Sequence, residues 1–145
     1  MPRPRHSPNR SADAFVRAVL LAGRWIERVL HAHDPPLTPA QYFALDEASS
    51  PHGLVASELA RRLDVSAAAV SQLVAGLDEA GFLSRGADLD RRRRPLELTV
   101  EGRRVLDSAR GALRERLGPL LPHEADALEH LAARLAGELP RRPRP

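Results

Sequence analysis

The sequence predicts a mainly α-helical fold with one small β-hairpin, and three observations support this prediction. Hydrophobic residues make up 43% of the 145 residues but aromatic residues only 3%, so the core must consist of Leu, Val and Ala. Such a composition favours helix over sheet. Apolar residues recur at helical spacing through most of the chain, and two short strand-like segments interrupt that pattern between residues 83 and 99.

The first helix is predicted over residues 11–33, where one stripe of apolar side chains repeats at spacings of four and three. The stripe consists of Phe15, Val19, Ala22, Ile26 and Val29. Its most apolar segment, residues 18–22, lies between Arg17 and Arg24 and is too short to cross a membrane or to act as a signal peptide. Asp34 and the two prolines after it end the helix. We therefore expect a cytoplasmic protein without membrane contact.

A second helix is predicted to begin at Pro39. Thr38 provides its N-cap and Gln41 completes a capping box, while Pro39 occupies the first helical position. Residues 49–53 end this helix, because they comprise two serines, a proline, a histidine and a glycine.

Two short helices joined by a tight turn, the helix-turn-helix pattern, are predicted next. The first spans residues 56–63, and residues 64–65 form the turn. Ser66 is a suitable N-cap for the second helix, which ends near Gly81. The predicted buried face of that helix comprises Val70, Leu73, Val74 and Leu77.

A β-hairpin follows directly. Residues 83–85 and 96–99 are the predicted strands, with Pro95 tolerated at the start of the second strand. Residues 86–94 form the loop between them. A hairpin in this position is a wing, so residues 37–100 are predicted to form a winged helix-turn-helix domain.

Two C-terminal helices complete the predicted fold. Thr99 and Glu101 start the first of them, and Gly118 and Pro119 interrupt it. The apolar faces of the two helices comprise Leu106, Ala109, Leu113, Leu117 and Leu120, then Leu128, Leu131, Leu135 and Leu139. Residues 1–10 and 140–145 are rich in Pro and Arg and are predicted to be disordered basic tails.

The helix that begins after Ser66 has a surface narrow enough to enter the major groove of DNA. The candidate DNA-contacting residues on it are Ser66, Ala67, Ala68, Ser71 and Gln72. Gln72 can make a bidentate contact to adenine, and Ser71 can reach a base or a phosphate. An Ala-rich helix with one Gln is also simply a good helix, so the basic hairpin after it is what favours DNA contact.

The hairpin concentrates positive charge. All 22 basic residues of the chain are Arg, which a GC-rich genome would also produce, but codon usage does not explain their positions. Residues 82–95 contain five Arg and two Asp, an excess of positive charge equal to the +3 of the whole chain. The five are Arg85, Arg91, Arg92, Arg93 and Arg94. Although such a run is often only a solubilising loop, we predict DNA contact with an Arg in the minor groove.

Two motifs in this region resemble the MarR family of transcriptional regulators. They comprise Leu59, Ala60, Val65, Ser66, Val70, Ser71, Leu73, Val74, Leu77 and Gly81 in the helix-turn-helix, and Asp90, Arg91, Arg92, Leu96, Glu97, Leu98, Thr99 and Gly102 in the wing. The resemblance implies a homodimeric repressor bound to a pseudo-palindromic operator in double-stranded DNA, with residues 11–36 and 101–139 forming the dimerisation region. It also implies that Asp90 pairs with Arg92, the expected minor-groove residue. Gln72 departs from the Arg of many relatives, so we expect the wing to supply more of the affinity.

The resemblance further implies a small aromatic or phenolic effector that releases the protein from DNA by a population shift. The candidate effector-binding residues are Trp25, His31 and Tyr42. For each of them, core packing or a helix end is the commoner role. Some relatives respond to metals, and two candidate sets are His31 with His33 and Asp34, and His123 with Glu124 and His130. Two His without a third convergent ligand are a weak indication of a zinc site. We expect no metal and no cofactor, and metal-responsive regulation stays an alternative.

An enzyme and a protein-binding winged helix are the competing interpretations. Glu124, Asp126 and His130 could supply acid and base groups, but the chain has no phosphate-binding loop and no nucleophile motif. The absence of Cys excludes disulfides and thiolate chemistry. A protein-binding module has no need of the arginines at 91–94. We therefore expect a DNA-binding regulator and no enzymatic activity.

Overall fold

The computed structural model describes residues 8–51, 53–86 and 94–138. Within these ranges the chain is mainly helical with a small antiparallel sheet, which confirms the predicted fold class. The helices are α1 (Pro8–His31), α2 (Pro39–Ala48), α3 (Ala56–Leu63), α4 (Ala67–Glu79), α5 (Val100–Leu117) and α6 (Ala125–Glu138), with a 3₁₀ turn (Gly118–Leu120) after α5. The strands are β1 (Leu54–Val55), β2 (Leu83–Arg85) and β3 (Pro95–Leu98).

The sheet places β3 between the other two strands, and both are antiparallel to it. Leu83 pairs with Leu98 in the predicted hairpin, and Leu54 pairs with Leu96 on the other side of β3. Strand β1 was not predicted, because two residues are too few to show an alternating pattern. Leu54 and Leu96 are both buried, so β1 fixes the base of the hairpin to the core.

The buried core consists entirely of Leu, Val and Ala side chains, as the composition predicted. Each of α1 to α5 contributes at least one side chain with 0 or 1% exposure, namely Leu30, Leu45, Leu59, Leu77 and Leu106. No polar or charged residue is buried in the described part of the chain. Helices α1 to α5 therefore share one core, which fixes α4 and the hairpin relative to α5.

Helix α2 has the predicted cap, but helix α1 begins earlier in the chain than predicted. The Thr38 hydroxyl accepts from the Gln41 N–H at 3.1 Å, and the Gln41 side chain accepts from the Thr38 N–H at 2.8 Å, which is the predicted capping box. Helix α1 begins at Pro8, so the predicted tail over residues 1–10 is helical at its end. Residues 1–7 and 139–145 lie outside the described residues, and Leu139 of the predicted apolar face is among them. No helix in the described ranges is long and apolar enough to span a membrane.

Candidate nucleic-acid interface

A left-handed residue and a side-chain cap define the turn between α3 and α4. Asp64, directly after α3, has a φ of 53°, a conformation that Asp tolerates better than most residues. The Val65 N–H donates to the Ala60 carbonyl at 3.1 Å and closes the last turn of α3. The Ser66 hydroxyl then accepts a hydrogen bond from the Ala69 N–H at 3.1 Å, so α4 begins at once. The predicted helix-turn-helix and its Ser66 cap are present.

Helix α4 buries one face and exposes the opposite one. The buried face comprises Val70, Val74, Leu77 and the half-buried Leu73. The predicted DNA-contacting residues of this segment are all exposed: Ser66, Ala67, Ala68, Ser71 and Gln72. Its acidic residues, Asp78 and Glu79, lie at the C-terminal end, where they would repel phosphates. A duplex can therefore approach the N-terminal half of α4 more closely than its C-terminal half.

The base of the hairpin contains two of its five Arg residues. Arg85 ends β2 and is exposed, while Arg94 precedes β3 and is half-buried. The Gly86 N–H donates to the Pro95 carbonyl at 2.8 Å, which holds the two strand ends together. The predicted residues of the tip, Asp90, Arg91, Arg92 and Arg93, lie outside the described residues. The base is therefore fixed by backbone pairing, a few residues after α4 ends.

The start of α5 is attached to the end of α4 through Thr99. Its hydroxyl donates to the Gly81 carbonyl at 2.6 Å and accepts from the Gly102 N–H at 2.9 Å. Its backbone N–H donates to the Phe82 carbonyl at 3.1 Å. No side chain fits at Gly102, because a Cβ atom there would lie 1.9 Å from the Phe82 carbonyl oxygen. We call these four residues the α4–α5 joint.

The positive charge of α3 is balanced by nearby carboxylates. Arg61 forms a bidentate pair with Glu58, at 3.0 Å from Nε and 2.5 Å from Nη2. Arg62 contacts the same carboxylate at 2.8 Å and also pairs with Glu47 of α2. The hydrogen bond from Arg61 lowers the pKa of Glu58, so this carboxylate is ionised at neutral pH. The excess of positive charge in this region therefore comes from the hairpin.

A cavity of about 840 Å³ lies between α1, α2, α5 and the start of α6. Its polar lining residues are Tyr42, Asp46, Arg110 and Arg114, and Ile26, Leu113, Leu117 and Leu128 are among its apolar ones. Tyr42 is the one predicted effector-binding residue that lines it. Trp25 packs against the core instead, and His31 is exposed at the end of α1. Asp46, Arg110 and Arg114 were not predicted as lining residues, because Asp46 meets the two arginines only when α2 packs against α5.

Arg110 links α5 to α2 in the wall of this cavity. Its Nε and Nη2 atoms donate to one oxygen of Asp46 at 3.0 and 2.7 Å, and Nη2 also donates to the Ser49 hydroxyl at 2.9 Å. Burial and then the charge of Asp46 raise the pKa of Tyr42, so its phenol is protonated at neutral pH and can donate a hydrogen bond. The cavity therefore combines an apolar lining with a phenol and two guanidinium groups.

The histidines do not converge within the described ranges. His33 lies 2.9 Å from the Pro35 carbonyl oxygen through Nδ1 and 2.9 Å from the Ser108 hydroxyl through Nε2. This places His33 as a bridge between the α1–α2 connection and α5. His123 and His130 are exposed. Among the described residues, no group of three or more His, Cys, Asp or Glu side chains is arranged to hold a metal ion.

Comparison with known proteins relates this arrangement to transcriptional regulators. A model of the MarR family matches residues 36–94. The regulator BldR from Sulfolobus solfataricus is 22% identical over 93% of this chain and 99% of its own, with a TM-score of 0.74. A probable transcriptional regulator from Pseudomonas aeruginosa is 31% identical over 81% of this chain and 93% of its own, with a TM-score of 0.61. A MarR-family regulator from Rhodococcus sp. RHA1 is 20% identical over 89% and 96%, with a TM-score of 0.68. No curated protein sequence matches.

Proposed function

Because this chain belongs to the MarR family of transcriptional regulators, we propose that it is a repressor that binds a pseudo-palindromic operator as a homodimer and is released by a small effector. The observation that carries the proposal is the short, exposed face of α4 beside a hairpin with five Arg residues. Backbone pairing at Gly86 and the α4–α5 joint hold the two parts in a fixed relation. The exposed face of α4 can enter a major groove while the hairpin reaches the adjacent minor groove of the same duplex.

The proposed contacts divide by groove. The major-groove residues are Ser66, Ala67, Ala68, Ser71 and Gln72. Arg92, oriented by Asp90, enters the minor groove, where the negative potential is strongest if the groove is narrow. The phosphate-binding residues are Arg85, Arg91, Arg93 and Arg94. Phosphate contacts then supply affinity and its salt dependence, while the base contacts supply the sequence preference.

Dimerisation is proposed because the terminal helices leave large apolar side chains exposed. On α1, Val16, Leu20 and Leu21 are 54, 65 and 59% exposed. The exposed apolar residues of the C-terminal part are Leu120, Leu121, Leu128 and Leu135. Apolar surface of this extent marks an interaction site, and a second copy of the chain presents the same stripes to cover it. We therefore assign dimerisation to residues 11–36 and 101–139.

The effector is proposed to occupy the cavity between α2 and α5. An aromatic ring would contact the apolar lining, and a phenolate or carboxylate would accept from the Tyr42 phenol and the Arg114 guanidinium. The cavity lies between the helices assigned to dimerisation and α2, which packs on α4. An effector with different affinities for two arrangements of these helices would shift the spacing of the two α4 helices away from the operator.

A mobility-shift titration on the DNA directly upstream of the gene for this chain tests the proposal. We expect specific binding whose affinity falls steeply with salt, because several phosphates are neutralised. Arg92→Ala should weaken binding by about 2 kcal/mol, within the range for one specific DNA contact.

Arg10→Ala is the matched control, since it removes the same charge at an exposed position outside both the proposed DNA contacts and the assigned dimerisation region. Unchanged affinity in Arg92→Ala, or affinity insensitive to salt, would contradict the proposed contacts. Failure of the wild-type chain to bind DNA, together with binding to a protein partner, would favour a protein-binding winged helix instead.

A further inference from the structure

Helix α4 carries no cation with which to contact guanine. None of its thirteen residues is Lys or Arg, whereas Arg or Lys on the O6 and N7 atoms of guanine is the commonest specific contact in the major groove. The two arginines of the preceding helix, Arg61 and Arg62, are held by Glu58 and Glu47. The major-groove surface is therefore left with amide, hydroxyl and methyl groups.

These groups match an A·T pair better than a G·C pair. Gln72, which is exposed and opposite the buried face, can pair with N6 and N7 of adenine. Ala68 lies four residues earlier on the same exposed stripe, and its methyl group can contact the C5-methyl of thymine. The Ser66 hydroxyl already accepts from the Ala69 N–H, so it has less capacity for a base.

The length of this stripe sets how many base pairs it can read. Residues four apart on a helix are separated by about 6 Å along its axis, while successive base pairs are separated by about 3.4 Å. The base pairs that Ala68 and Gln72 can contact are therefore separated by about two base-pair steps.

We propose that α4 reads two A·T pairs in each operator half-site, about two base-pair steps apart, with Gln72 on an adenine and Ala68 on a thymine methyl group, and that it reads no guanine. This inference rests on the proposed function and specifies the DNA that the proposed interface prefers. Gln72 and Ala68 are the specificity-determining residues of α4, while the hairpin arginines set the affinity.

The test starts from selection of a randomised duplex library with the full chain. Within the selected duplex, each thymine is replaced in turn by deoxyuridine, which removes only the C5-methyl in the major groove and leaves the minor groove unchanged. Each adenine is replaced by 7-deazaadenine, which removes the N7 acceptor. We expect about fivefold weaker binding for one position of each kind per half-site, the two lying about two base-pair steps apart.

Variants then assign the two positions to residues. Ala68→Gly should abolish the sensitivity to deoxyuridine, and Gln72→Ala the sensitivity to 7-deazaadenine. Ala69→Gly is the matched control, because it lowers helix propensity in the same turn but lies on the flank of α4. It should retain both sensitivities.

The outcomes separate this inference from the function on which it rests. A selected motif with a guanine at the α4 position and sensitivity to 7-deazaguanine would overturn the A·T reading and leave the DNA-binding function intact. If the wild-type chain is sensitive to neither deoxyuridine nor 7-deazaadenine, the A·T reading is likewise overturned and the DNA-binding function stays intact. Failure to select any duplex would overturn the proposed function and the inference together. The nucleotide replacements use the wild-type chain, so a variant that does not fold leaves the test decisive.

Discussion

The DNA-binding region and the terminal helices of this chain differ in how they cover their apolar side chains. In the first, Leu59 and Leu77 are 0 and 1% exposed, and the core closes within a single chain. In the second, Leu20 is 65% and Leu128 is 45% exposed, although the stripes to which they belong are regular and helical. Residues 37–100 are therefore covered by α1 and α5 of the same chain, whereas the outward stripes of α1 and α6 are left exposed in a single chain.

The largest effect is expected at the α4–α5 joint, where the DNA-binding region meets α5. Gly102→Ala would place a Cβ atom against the Phe82 carbonyl oxygen, and backbone cannot move aside cheaply. We expect a loss of about 3 kcal/mol in the free energy of unfolding, measured by urea denaturation. Operator affinity should fall as well, because α4 and the hairpin share this joint.

Gly111→Ala provides the control on the same helix. Nothing lies within 4 Å of a Cβ atom at Gly111, so the substitution should stabilise α5 by up to about 1 kcal/mol. Equal effects of the two substitutions would mean that the close approach at Gly102 does not constrain the joint.

The next effect tests the surface that the terminal helices leave uncovered. Leu20→Glu would bring a charge into the proposed dimer interface and should weaken dimerisation by about 2 kcal/mol. Sedimentation velocity should then show monomers at concentrations where the wild-type chain is dimeric. Val100→Glu changes a side chain that is 91% exposed outside the assigned dimerisation region, and should leave the dimer intact. A monomeric wild-type chain would contradict the proposed dimer interface.

The smallest effect concerns the ion pair that joins the two regions. Asp46→Ala removes the carboxylate that Arg110 contacts across α2 and α5, and should cost about 1 kcal/mol of unfolding free energy, because the pair is only partly shielded from water. Arg104→Ala removes an exposed pair with Glu101 within α5 and should leave the denaturation midpoint unchanged. If both substitutions shift the midpoint equally, the link between α2 and α5 has no special role.

Local features of this fold were predictable from sequence, and features that depend on distant contacts were not. The caps at Thr38 and Ser66 were predicted because the donor and acceptor lie three residues apart. Strand β1 was missed because Leu54 acquires its pairing only from Leu96, far along the chain. Gly102 belonged to the recognised motif, but its reason, the Phe82 carbonyl, required the structure.

In the candidate sites, too, local features were predictable from sequence and features that depend on distant contacts were not. The exposed face of α4 was predicted, since helical periodicity alone separates it from Val70 and Val74. Of the effector-binding candidates, Tyr42 lines the cavity, while Trp25 packs against the core. The position of Arg110 in the cavity wall could not be predicted, because the cavity forms only when α2 and α5 pack side by side.

The stoichiometry of the complex with DNA tests whether a homodimer binds the operator. The mass of the complex between the wild-type chain and a duplex selected from the random library can be measured by sedimentation or light scattering across a salt titration. We predict two chains per duplex, with an affinity that falls steeply as salt rises. One chain per duplex would contradict the homodimer, and an affinity independent of salt would contradict the proposed phosphate contacts.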